Sequence, residues 1–163
     1  MTDYYGVNGA KIVAKGFPDL PYGVAGGHLQ RFFSDTISVV SAVASGDRIW
    51  MGAIRSDAIL DGDLSKIFYD DMGTSITIDV GADSTELAAY RDGNTLSKLV
   101  SGLDVATAAG SASLTSNVAT ADKGKPLWQA LNLPRDPLMA INLYATFTGD
   151  PGTGNIHWKW VGS

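Results

Sequence analysis

The chain has no cysteine, only two histidines, no cluster of basic residues and no long apolar run, and each shortage removes a class of function. Without thiols there can be no disulfide, no thiolate metal site and no cysteine nucleophile. The two histidines, His28 and His157, are far apart in sequence and cannot form the i, i+4 pair by which a helix presents a metal site. Seventeen acidic residues against twelve basic ones leave a net charge of −5, and Lys and Arg are scattered along the chain. Sign and pattern are both wrong for coating nucleic acid or an anionic membrane. No segment approaches the roughly eighteen consecutive apolar residues that span a bilayer. Met1 to Tyr5 lack the basic start and apolar stretch of an export signal, so none is expected.

What remains is the composition of one folded domain: 163 residues, 45% hydrophobic and 18% charged. Glycine is abundant, at 19 residues, and follows no fixed period, which excludes collagen. Many glycines between short apolar runs imply many turns, hence a β-rich fold.

Residues 1–33 read as an extended N-terminal arm. Gly6, Gly9, Gly16, Gly23, Gly26 and Gly27 interrupt every run, and Pro18 and Pro21 bias their neighbours to extended backbone. Yet Tyr4, Tyr5, Phe17, Tyr22, Phe32 and Phe33 are spread through it, with Ile12, Val13 and Leu20. A disordered tail carries few such side chains. The arm is therefore expected to bury them on a surface, either its own domain or another chain, and its six aromatics are candidate interface residues.

Residues 34–163 read as the sandwich domain. Ile37 and Val39 alternate with polar neighbours from Thr36 onward. Ser45-Gly46-Asp47 turns into a strand over Arg48–Ile54, with Ile49, Met51 and Ala53 expected on one face. Ile67–Tyr69 is a short strand, and Ile76, Ile78 and Val80 alternate inward. Residues 84–100 are ambiguous between short helical turns and loop, while 101–121 read as an irregular excursion with short strands. Pro126–Leu131 suits a helical turn or two. Leu138–Thr148 is the clearest strand, with Met139, Ile141, Leu143, Ala145 and Phe147 on one face. Gly149–Asn155 is expected to form a hairpin turn before Ile156, Trp158 and Trp160 return as the last strand. The fold class is all-β: an antiparallel sandwich, jelly-roll-like, with little helix.

The search for chemistry finds no site. There is no Gly-x-Ser-x-Gly elbow for a nucleophilic serine. Asp57, Asp61 and Asp63 resemble a fragment of a calcium loop but lack the following glycine and glutamate, so Asp-Gly turn chemistry accounts for them. No catalytic residue, metal or cofactor is expected. Trp158 and Trp160, two apart on one strand face, could close a core, serve a subunit interface, or form a stacking platform for a glycan.

Four runs carry a resemblance: Ser45-Gly46-Asp47-Arg48-Ile49-Trp50-Met51-Gly52, then Gly73-Thr74-Ser75-Ile76-Thr77-Ile78-Asp79-Val80-Gly81, then the closing strands Ile141–Thr148 and Gly154–Val161. Ala58-Ile59-Leu60 and the small-residue stretch at Ala109-Gly110-Ser111-Ala112 fall between them in the same order. Over residues 36–163 this pattern resembles the small β-sandwich decoration or cement proteins of tailed-bacteriophage capsids. The resemblance implies a non-enzymatic virion protein on the capsid surface, binding the major capsid protein, commonly as a homotrimer. The alternative is a glycan- or host-surface-binding module of the virion that uses Trp158 and Trp160.

Overall fold

The computed structural model describes residues 3–6, 31–39, 43–73, 75–149 and 153–163. Their strands are β1 (Asp3–Tyr5), β2 (Arg31–Val39), β3 (Arg48–Arg55), β4 (Lys66–Tyr69), β5 (Thr77–Ala82), β6 (Val100–Asp104), β7 (Gly110–Ser113), β8 (Ala140–Thr148) and β9 (Gly154–Gly162). The one α-helix among the described residues is α1 (Leu127–Ala130), preceded by Pro126. The strands form two sheets, one in the order β1-β3-β8-β5-β6 and the other β2-β9-β4-β7. Every pairing is antiparallel except that of β1 with β3, which is parallel. The chain is an all-β sandwich, as its period-two segments predict.

The core lies between the sheets because the inward set of each strand is apolar. Ile141, Leu143, Ala145 and Phe147 on β8 face Ile78 and Val80 on β5, and Ile156, Trp158 and Trp160 project inward from β9. Trp158, Phe147, Met51, Ile67 and Leu114 are among the largest fully enclosed side chains.

Three expectations need correction. Met139 was expected to face inward but is 41% exposed. Leu138 adopts φ 55°, which breaks the extended backbone, so the alternation of β8 begins only at Ala140. On β3 the core face does not run through Ile49, Met51 and Ala53. A bulge between Trp50 and Gly52 shifts the register, so Ile49, Gly52 and Ile54 oppose the inward residues Ala145, Leu143 and Ile141. Ala53 instead pairs with Asn142. Finally, β8 and β9 are not a hairpin, because they belong to different sheets. Gly149, at φ 95°, starts the passage between them, and a Cβ there would lie 2.6 Å from the carbonyl oxygen of Ser75.

The ambiguous segment 84–100 is a series of turns that buries Leu87 and Leu99, and the small-residue stretch after it supplies β6 and β7. At the N-terminal side, β2 begins at Arg31, three residues before the expected domain boundary, and Asp3–Tyr5 pair with Arg48–Trp50. Residues 7–30 lie outside the described ones.

Candidate interaction surfaces

The residues expected at an interface divide into three groups. Phe17 and Tyr22 lie outside the described residues, and of Tyr5 and Phe32 only the strand position is described. Phe33, Trp158 and Trp160 belong to the core. Tyr4 is partly buried in β1, and its hydroxyl points to the carboxylate of Asp47 at 3.4 Å. Removal from water and the neighbouring Asp47 charge both push the Tyr4 phenol above its ordinary value.

The aromatic group is built around β3. Phe33 stacks on Trp160 at 5.7 Å between ring centroids and meets Trp50 edge-on at 6.0 Å. The indole N–H groups of Trp158 and Trp160 both donate to the carbonyl oxygen of Met51, at 2.9 and 3.2 Å. The bulge exposes that carbonyl to two donors at once. Gly52, at φ 113°, makes the arrangement possible, because a Cβ there would sit 3.0 Å from Nε1 of Trp160 and 3.2 Å from the Phe33 ring. On the other side, Gly6 packs so closely on Trp158 that a Cβ would come within 2.7 Å of its ring. Trp158 has no exposed surface and Trp160 only 6%, so neither offers a face for a sugar to stack on. Of the readings open for this pair, the structure selects the core.

His157 lies on the outer face of β9. Its Nδ1 is 2.8 Å from the hydroxyl of Thr36 and its Nε2 is 3.5 Å from that of Ser34, both on β2, and its ring packs on Phe68. His28 lies outside the described residues. The suspected calcium fragment resolves into turn chemistry. Asp57 forms a two-point ion pair with Arg55, at 2.8 and 2.5 Å, and one oxygen of Asp61 accepts the backbone N–H groups of Asp63 and Leu64. Among the described residues no three His, Asp or Glu side chains gather as a metal site.

Sequence reasoning missed a polar network across the end of β3. The Arg48 guanidinium pairs with Asp83 and lies 3.9 Å above the Tyr144 ring. Glu86 accepts from the Tyr144 hydroxyl at 2.7 Å and from the Asn142 amide at 3.0 Å, and Asn142 in turn accepts from the indole of Trp50. A hollow of about 380 Å³ beside Arg48 is lined by Asp79, Asp83, Lys98 and Tyr144. Its charges are matched internally, since Lys98 pairs with Asp79 at 2.6 Å. Burial alone would raise the carboxyls of Asp79 and Asp83. Lys98 with the Gly102 N–H, and Arg48 with the Thr85 N–H, outweigh it and hold both below the ordinary aspartate value. No sequence signal could have assembled these residues, because they come from segments that meet only once the sheet forms.

The large apolar side chains left exposed among the described residues are Ile59, Leu64, Leu138 and Met139. All four lie at one end of the sandwich, where β3 ends, β4 and β8 begin, and Ser163 bonds to Ile59.

No protein-family model matches the chain, and no curated protein matches it. Two solved structures align along most of its length. One is a chain of the cyanophage Pam1 capsid asymmetric unit, with TM-score 0.49 and 13% identity over 91% of this chain and 94% of that one. The other is a chain of the capsid of Ralstonia phage GP4, with TM-score 0.41 and 18% identity over 98% of this chain and 97% of that one.

Proposed function

We propose that this chain is a structural protein of a tailed-bacteriophage virion, which binds the major capsid protein on the head surface and decorates or cements the shell as a homotrimer. The observation that carries this reading is where the virion-protein pattern falls. Its long runs occupy β3, β5 and β8, the three inner strands of one sheet, and β9, an inner strand of the other, with the Ser45-Gly46-Asp47 turn leading into β3 and the short Ala109–Ala112 stretch falling on the edge strand β7. The pattern thus describes the framework of the sandwich rather than a decoration upon it. The burial of Trp158 and Trp160 removes the surface on which a glycan-binding reading depended. The role proposed is non-enzymatic, with no cofactor.

The test is co-sedimentation of the purified protein with phage shells assembled without it. Saturable binding in fixed ratio to the major capsid protein is the expected result. Failure to bind under any salt condition would refute the proposal.

A further inference from the structure

Leu138 combines two features that seldom occur together. Its backbone sits in the left-handed region at φ 55°, a strained conformation for a non-glycine residue. Its side chain is nevertheless 86% exposed, so the fold recovers nothing by burying it. The strained turn is held from within. One oxygen of Asp136 accepts both the Leu138 N–H at 2.8 Å and the Ser56 hydroxyl at 2.5 Å, and the Ser56 N–H donates to the carbonyl oxygen of Met139 at 2.9 Å. An apolar side chain presented to solvent from a backbone held in place is the form of a preorganised anchor, because the backbone ordering is lost in folding rather than in binding.

The charge around the anchor specifies what it fits. Leu138 and Met139 line a hollow of about 420 Å³ together with Arg55, Ser56, Asp57, Asp136 and Ala140. Arg55 is engaged by Asp57 through both ends of its guanidinium and also feels the Asp136 charge, although no lysine or arginine among the described residues is in ion-pair contact with Asp136. One arginine against two aspartates leaves the hollow net negative, on a chain that is itself −5. A second copy meeting this face with its own would bring like charge to like charge, whereas a basic partner neutralises it.

We propose that the 136–139 turn docks the chain on a partner protein that presents an apolar side chain beside a lysine or arginine, with Leu138 as the anchor and Asp136 as the charge that selects the partner. This rests on the reading above, in which the partner is the capsid shell.

The experiment measures binding to shells assembled without this protein, alongside urea unfolding of each variant. Leu138→Asp and Leu138→Gly should each weaken binding by about tenfold or more. Leu138→Gly should keep or raise the urea midpoint, because glycine relieves the strain, and Leu138→Met should bind nearly as the unchanged chain does. Asp136→Asn keeps an oxygen for the Leu138 N–H and should weaken binding about threefold while flattening its salt dependence. If the unchanged chain binds and the two Leu138 truncations bind equally well, the docking proposal is overturned while the virion reading stands. A Leu138→Gly midpoint well below that of the unchanged chain would also overturn it, since the side chain would then serve its own fold. Loss of a homo-oligomer on Leu138→Asp, seen by sedimentation, would make the occupant a second copy and refute the basic partner. No binding by the unchanged chain refutes both readings together.

Discussion

Trp158 and Gly52 show how much a single position decides. Trp158 fills the centre of the sandwich and ties β9 to the bulge carbonyl of β3. Trp158→Ala should lower stability by about 3–5 kcal/mol, measured by urea unfolding, with the missing ring leaving a cavity that the sheets cannot fully close. Gly52→Ala adds one methyl where φ is 113° and the nearest atoms are the Trp160 indole and the Phe33 ring. Its expected cost is about 1–3 kcal/mol. A tolerated Gly52→Ala would mean that the bulge relaxes freely and does not set the aromatic packing.

Between elements, charged side chains fasten what the ladders leave loose. Asp83 holds the end of β5 to Arg48 on β3, and Asp79 links β5 to Lys98 and to the Gly102 N–H on β6. Because both carboxyls titrate below the ordinary aspartate value when folded, their contribution is complete above that value, about 4, and is lost as pH falls through the lowered one. The urea midpoint should therefore fall from pH 5 toward pH 2. Asp83→Asn should start lower at neutral pH but decline less steeply on acidification; an unchanged acid slope would show that the Arg48 pair is not linked to folding. Removing residues 1–6 takes away β1 and the close packing of Gly6 on Trp158, so the midpoint should drop while the circular-dichroism spectrum stays that of a β protein.

The same elements show what a sequence can reveal. The alternation in β5, β8 and β9 is legible because each has one buried face, and the period of two survives from sequence to structure. The face change in β3 is not legible, since a bulge is visible only against the partner strand, and neither is the sheet change after Thr148, where a glycine-rich loop suits a hairpin and a crossing equally well. Burial of Trp158 and Trp160 was one of several outcomes their spacing allowed. The exposed turn at Leu138 was hidden because its residues continue the apolar pattern of β8.

For the whole molecule, the large apolar side chains exposed among the described residues, Ile59, Leu64, Leu138 and Met139, gather at one end of the sandwich. That polarity suits a protein that attaches by one pole and faces solvent with the rest. In solution, sedimentation equilibrium should give three times the 17.1 kDa chain mass if the proposed trimer forms without the shell. The most direct test of the central claim is quantitative mass spectrometry of purified particles of a phage whose genome carries this chain, which the proposal requires to exist. The account predicts this protein in a constant ratio to the major capsid protein across the density peak of intact heads. Its absence from particles, or its presence only in trace and variable amount, would contradict it.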